Sequence, residues 1–538
     1  MKAGIAALIQ LRLVYHHTTP DGLSTYQANT QNAYNLVRSG KLVELAGRKF
    51  GSPADKIIEY LAISGYATAS DLESGFSHNG ARGLKENLSR QTNGYLEGEG
   101  ANHGNSKDTS KFRESLRNLV ANNFIIAVRD AQFQSPFDAR QDTERHLHAQ
   151  GSPPSSKAKK SQLDIDEKVN IELEKRLDGS LSAASILHEL EADDRAADAP
   201  PSNQVCPFMD RIGSSLRRQG KTLLCVNYAK LAISIRDEKI ASMAETIYGK
   251  QAAHVARAAC AQIDIDASPF NLQSQHNPAA IVQKLDVSLI SDNLADGTAI
   301  DPSNGDILGN GWHVGTPPVN GHRARRINGS QHFQDIDRQL GVLAEGPFSF
   351  IIRDAAASSW LVHKTQMNHF LRDKELMRLL GESVNGSALR IVRMLVDKGK
   401  LEEKTLQEVG LLGAKELRQC LEQMQMMGFL ELQEVPREPQ RQPNRTIFLW
   451  FYDAERVRKV FLGKLYKAMS RLFQRLRLER ERLASTLGKI ERSDVQGSEQ
   501  EMLSPAELQV LYQWRQKEAW FMTEINRFDD SVVILGDL

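Results

Sequence analysis

The chain reads as mainly α-helical with small β-ribbons: one domain type repeated in tandem, closed by a C-terminal helical hairpin. Three observations predict this. A helix–ribbon unit occupies residues 412–452, three further helix–strand junctions repeat its pattern, and a long apolar stripe follows residue 453. In the first unit Leu417, Leu421 and Met424 recur at helical spacing. Gly428 stops that helix, as a residue tolerant of left-handed backbone does. Residues 429–435 and 446–452 (TIFLWFY) read as strands. Pro436, Pro439 and Pro443 cannot sit inside a central strand, so they mark a loop between the two. Helical segments at 384–397 and 402–409 come before. Three helices and a two-stranded ribbon are the layout of a winged helix.

The same ending recurs at residues 3–17 (AGIAALIQLRLVYHH), 112–129 (FRESLRNLVANNFIIAVR) and 334–353 (QDIDRQLGVLAEGPFSFIIR), the last followed by the strand SWLVH. The irregular spacing suggests a tandem array, not a tight solenoid.

In order, residues 1–30 form a partial winged helix 1. Its two opening helices are missing, and truncation at a wrongly chosen start is the expectation. Residues 31–134 form winged helix 2, with a Gly-, Asn- and Ser-rich mobile insertion at 74–109. Its second helix starts at Ser52, Pro53 and Asp55, with serine as the cap. Residues 135–204 (SPPSSKAKKS, later EADDRAADAP) read as a disordered linker around a solvated helix at 164–190. Residues 205–363 form winged helix 3, with an insertion at 264–329. It opens with one helix through Leu223, Val226, Leu231 and Ile235 and another through Ile240, Met243 and Ile247. Residues 364–382 are a connecting helix, 383–452 winged helix 4, and 453–538 the helical hairpin. In the hairpin Val457, Phe461, Leu465, Leu472 and Leu476 keep one apolar stripe, the candidate partner-binding face, which needs either its own hairpin mate or another subunit to cover it. The opposite face carries Arg456, Arg458, Lys459, Lys464, Lys467, Arg471 and Arg475. Ser504-Pro505-Ala506-Glu507 is a capping box that starts the return helix.

Composition narrows the function. A chain of 538 residues predicts roughly three to four domains. Apolar content of 41% and charged content of 25% are those of a globular protein. A net charge of +1 excludes a protein that coats nucleic acid along its whole length, so such contact must come from local patches. Cys206, Cys225, Cys260 and Cys420 form no C-x-x-C pair, which argues for reduced thiols in an intracellular protein. No apolar run has the length of a membrane span.

Catalytic chemistry finds no support. Gly220-Lys221-Thr222 looks like the end of a P-loop, but Ser215 stands where the motif needs glycine and no strand precedes it. His16 and His17 fall on opposite faces of a strand, and His146 and His148 have no cysteine nearby. No catalytic residue, metal or cofactor is expected. Nucleic-acid contact remains. On the recognition helix of winged helix 4, Lys415, Arg418 and Gln419 face outward, and Arg437, Arg441 and Arg445 ride on the wing. Such arginines suit phosphate contacts. A protein dock is the equal alternative.

Residues 383–453, above all VPREPQRQPNRTIFLW, resemble the winged-helix subunit of RNA polymerase III that belongs to its three-membered initiation subcomplex. NAYNLVRSGKLVELAGRKFG and LCVNYAKLAISIRDEKIA look like the same family. The resemblance implies four extended winged helices and a C-terminal coiled coil, related to the large subunit of general transcription factor IIE. It implies a nuclear protein on the polymerase clamp, with two partner subunits, one acidic-tailed. The implied role is promoter-directed initiation and DNA opening at tRNA and 5S RNA genes, without an active site of its own. Two other readings remain: a free-standing DNA-binding regulator, which near-neutral charge and the long apolar tail oppose, and a scaffold of another winged-helix assembly, which would not need the arginine-rich wing.

Overall fold

The computed structural model describes residues 2–18, 22–78, 106–150, 159–177, 222–263, 282–295, 329–354, 359–436, 446–490, 492 and 502–538. It divides into two compact units, one of residues 1–279 and 285–341, the other of 280–284 and 342–538.

The first unit opens with α1 (Lys2–Gln10) and a hairpin of β1 (Val14–Thr18) and β2 (Ser24–Ala28). The turn between α1 and β1 is gripped from several sides. Asn29 and Asn32 donate side-chain hydrogen bonds to the Arg12 and Leu11 carbonyls, each at 3.0 Å. Arg12 itself is left-handed, at φ 55°. Its guanidinium donates to Gln132 Oε1 at 3.0 Å and to Cys225 Sγ at 3.1 Å. Burial, opposed by that guanidinium, pushes the Cys225 thiol up.

Winged helix 2 follows: α2 (Thr30–Phe50), α3 (Ala54–Ser64), α4 (Ala69–His78), α5 (Ser106–Ala121) and β3 (Ile125–Ala127). The N-cap of α3 is Pro53, with no side-chain cap, so Ser52 does not hold the role expected of it. Strand β3 pairs antiparallel with β4 (Leu224–Val226). Ala67 closes the ribbon, exchanging two backbone hydrogen bonds with Leu224 at 2.9 and 3.0 Å. One apolar core contains Leu42, Ile57, Leu61, Phe112 and Leu116 together with Leu224, Val226 and Leu231. Strand β4 thus shares a ribbon and a core with residues on the other side of the boundary expected near residue 134. A strand finds its partner through ladder bonds and a shared core, and the entropy of closing a longer loop rises only logarithmically.

The intervening stretch also departs from a disordered linker. It holds a 3-10 turn (Asp130–Phe133), α6 (Pro136–Gln150) and α7 (Lys159–Leu177). Gln132 donates to the Leu177 carbonyl at 2.8 Å, Arg140 to Asp166 at 3.2 Å, and Arg176 to Thr143 Oγ1 at 2.8 Å. Two apolar runs expected as separate helices resolve differently. Leu224–Val226 is strand, and α8 (Ala229–Tyr248) is continuous through both Leu231 and Ile240. Then come α9 (Lys250–Gln262), β5 (Val282–Leu285), α10 (Val287–Ala295) and α11 (Gly329–Glu345).

The second unit takes in β5 through residue 284 and carries β6 (Ile351–Asp354) and β7 (Ser359–His363), and the three form a sheet in the order β5-β7-β6. After α12 (Lys364–Ser383) comes winged helix 4: α13 (Gly386–Lys398), α14 (Glu403–Gly410), α15 (Ala414–Met426), β8 (Glu431–Pro436) and β9 (Thr446–Phe451). Asn385 caps α13 by accepting from the Ala388 amide at 2.9 Å. Gly428 is left-handed at φ 80° where the recognition helix ends. Leu401 bridges to Trp450 through two backbone bonds at 2.8 and 3.1 Å, the same closure that Ala67 and Leu224 make. The hairpin consists of α16 (Ala454–Arg482), α17 (Ala484–Ile490) and α18 (Pro505–Val532), the last started by the complete Ser504–Glu507 capping box.

Candidate nucleic-acid and partner interfaces

The recognition helix α15 presents one face inward and one outward. Leu417, Cys420, Leu421 and Met424 are buried, while Lys415, Arg418 and Gln419 are exposed. The helical period dictates both sets. The outer face is less positive than its cations suggest. Arg418 donates to Glu403 of α14 at 2.6 Å, and Glu416 accepts from the Ser387 hydroxyl at 2.9 Å. Glu416 and Glu422 are exposed beside the cations. Glu403, Glu416 and Glu422 are the residues that sequence reasoning missed. The first is a contact between helices; the other two were legible from the same period that exposed Lys415.

The wing strands β8 and β9 pair from Glu431↔Phe451 to Pro436↔Thr446. Arg437, Arg441 and Arg445 belong to the segment joining them and lie outside the described residues. The same holds for Gly220 and Lys221 of the P-loop-like run.

The apolar stripe of α16 needs a correction. Val457, Phe461 and Leu465 are 1%, 3% and 6% exposed, so the chain itself covers them. Phe461 stacks on Phe429, which follows Gly428 beyond the recognition helix, with ring centroids 4.8 Å apart. These three are core residues, not a surface awaiting a partner. Leu472 and Leu476, further out, are half-buried.

The basic face of α16 splits in the same way. Arg456 pairs with Glu431. Arg458 pairs with Glu455 at 2.6 Å and donates to the Leu535 carbonyl at 2.6 Å. The Lys464 ammonium sits 4.2 Å above the Phe429 ring, and burial holds its pKa below the usual lysine value. The half of the helix next to the winged helix thus uses its cations internally. The far half keeps Lys467, Arg471 and Arg475 exposed.

His16 and His17 lie against neighbouring side chains. The His16 ring lies 5.3 Å from that of Tyr26, and buried His17 lies 3.7 Å from the Asp142 carboxylate. Among the described residues no group of three or more His, Cys, Asp or Glu could hold a metal ion.

Comparison with known proteins gives the family. The family profile described as POLR3C, C-terminal winged-helix domain, matches residues 377–452, from within α12 to the end of the wing. The profile described as RNA polymerase III subunit RPC82 matches residues 114–363. A DNA-directed RNA polymerase III subunit rpc3 from Ajellomyces capsulatus is 31% identical, over 100% of this chain and 94% of the relative. The chain belongs to the RPC82 family of RNA polymerase III subunits. An rpc3 subunit from Neosartorya fischeri is 33% identical over 99% of this chain and 89% of its own, and the RPC-3 subunit of Coccidioides immitis is 32% identical over 100% and 92%. The stretch that the RPC82 profile matches includes both β3 and β4.

Proposed function

We propose that this chain is a noncatalytic subunit of DNA-directed RNA polymerase III that acts in transcription initiation in the nucleus. It docks on the polymerase clamp with two other subunits and guides promoter DNA during opening of tRNA and 5S RNA genes. The observation that carries the reading is similarity along nearly the whole chain to proteins named as subunits of that polymerase. Within winged helix 4, the wing arginines Arg437, Arg441 and Arg445 would meet phosphates, with Lys415 and Gln419 of the recognition helix beside them. The Arg418–Glu403 pair and the mixed charge of that helix favour a second use of the same domain, as a protein dock.

The test is transcription of a tRNA gene by polymerase III reconstituted with the triple variant Arg437→Glu, Arg441→Glu, Arg445→Glu. Loss of promoter opening with intact assembly supports the DNA guide. Intact opening with lost assembly makes the wing a protein dock. Normal opening and normal assembly would remove the wing from the function altogether.

A further inference from the structure

We propose that the outer edge of β2 accepts an extended segment of a partner protein, paired antiparallel with Tyr26 and setting an apolar or β-branched residue beside it. The proposal stands on the strands alone and does not rest on the proposed function.

The two ribbons of the first unit are built alike around an asparagine. Asn227 follows β4, and Asn29 follows β2. Each backbone amide donates to the carbonyl just before the first strand of its ribbon: Asn227 to Phe124 at 2.9 Å, Asn29 to Leu13 at 2.8 Å. Each side chain donates to the carbonyl one residue further back, that of Asn123 at 2.8 Å and that of Arg12 at 3.0 Å. Those two residues share a left-handed backbone, at φ 56° and 55°. Equal counting back from the asparagines therefore matches Tyr26 with Leu224.

The free edge is where the ribbons differ. Leu224 exchanges two backbone hydrogen bonds with Ala67. The ribbons of the second unit are flanked on their last strand as well: Trp450 by Leu401, and β7 by β5. Strand β2 has no such neighbour among the described residues. The Asn29–Leu13 bond fixes the alternation of the ladder, so Ser24, Tyr26 and Ala28 turn their N–H and C=O groups away from β1. Every residue of β2 is exposed. Tyr26 is 52% exposed, against 1% for Leu224 and 9% for Trp450.

Bare edges are commonly protected by a charge, a proline or a bulge. Residues 23–28 (LSTYQA) contain neither charge nor proline, and the pairing with β1 is continuous. A strand added to such an edge takes its affinity from main-chain bonds and its selectivity from alternate side chains. The filled edges carry Ala67 and Leu401, and the groups left to cover here are the exposed Tyr26 and Leu23. An apolar or β-branched residue suits them. Nucleic acid does not: its phosphates accept hydrogen bonds, whereas this edge alternates donors with acceptors.

The experiment uses the full chain and two labelled peptides, one alternating threonine and valine, the other identical but methylated on every backbone nitrogen. In the free chain, amide hydrogen exchange should be faster at Ser24, Tyr26 and Ala28 than at Thr25 and Gln27. The Thr–Val peptide should bind and slow exchange at Tyr26; the methylated peptide should not. Tyr26→Pro removes an N–H that β1 does not use, so the hairpin should persist while the peptide binds about tenfold more weakly or worse. Tyr26→Lys, which keeps that N–H and adds an edge charge, should weaken the peptide even if the proline variant fails to fold. Slow exchange at Tyr26 in the free chain would overturn the proposal, because the edge would already be covered. Equal binding of the methylated peptide, or binding of neither, would overturn it too. A dimer in sedimentation that Tyr26→Pro abolishes would replace the foreign partner with a second copy of this chain.

Discussion

Winged helices 2 and 4 solve the same problem with different chain economy. In each, a glycine ends a helix with positive φ and the residue two positions on bridges to the last wing strand: Gly65 and Ala67 to Leu224, Gly399 and Leu401 to Trp450. Winged helix 4 reaches its closing strand within residues 437–445. Winged helix 2 reaches its own only after residues 128–223, whose described part holds two further α-helices. The ribbon is thus a fixed frame whose connection can be very long, because the core and the ladder select the partner strand.

The sharpest way to break this comparison is to remove the closing residues. Leu224→Ala should cost about 3 kcal/mol and Trp450→Ala about 4 kcal/mol, read by urea denaturation. Hydrogen exchange of the Leu224 variant should show loosening at residues 42–61 and 112–120, far away in sequence. Loosening confined to the neighbourhood of residue 224 would deny the shared core.

The two glycines should then part company. A Cβ at Gly65 would lie 2.4 Å from the Gln10 carbonyl oxygen, whereas at Gly399 nothing stands within 4 Å. Gly399→Ala should cost about 1 kcal/mol for its positive φ. Gly65→Ala should cost roughly 3 kcal/mol, because backbone must also move. Equal costs would mean that the α1–β1 turn does not rest on α3.

Caps give a smaller contrast. Asn385→Ala should lose about 1 kcal/mol, and Ser52→Ala should stay within about 0.5 kcal/mol, both read from thermal melts.

The smallest effect concerns acid. The capping box and Lys489 hold Glu507 down at about 2. A carboxylate with a depressed pKa stabilises the fold above the unfolded value of 4.5, and that contribution disappears as pH falls toward about 2. Glu507→Gln should lower the hairpin's melting temperature slightly near neutrality, where that contribution is fully present, and flatten its acid dependence over that window.

Legibility followed chain continuity. Winged helix 4 could be read element by element, since its helices, Gly428 and both strands follow one another directly, and the exposure of Lys415, Arg418 and Gln419 came from one helical period. In winged helix 2 the β4 strand is too short to announce itself, and its apolar residues mimic the start of the next helix. The α6–α7 segment shows few apolar residues; Val169, 1% exposed, is among the few that anchor it. The stripe Val457–Phe461–Leu465 was legible as apolar, but its cover, Phe429 beyond the end of another helix, was not. Pairs such as Arg418–Glu403 belong to helix packing, which no local pattern encodes.

The measurement that bears most directly on the proposed function is purification of the tagged chain from nuclear extract, with its partners identified by mass. The expected result is the polymerase III core together with two small subunits in stoichiometric amounts. Recovery of the folded chain without any polymerase III subunit would contradict it.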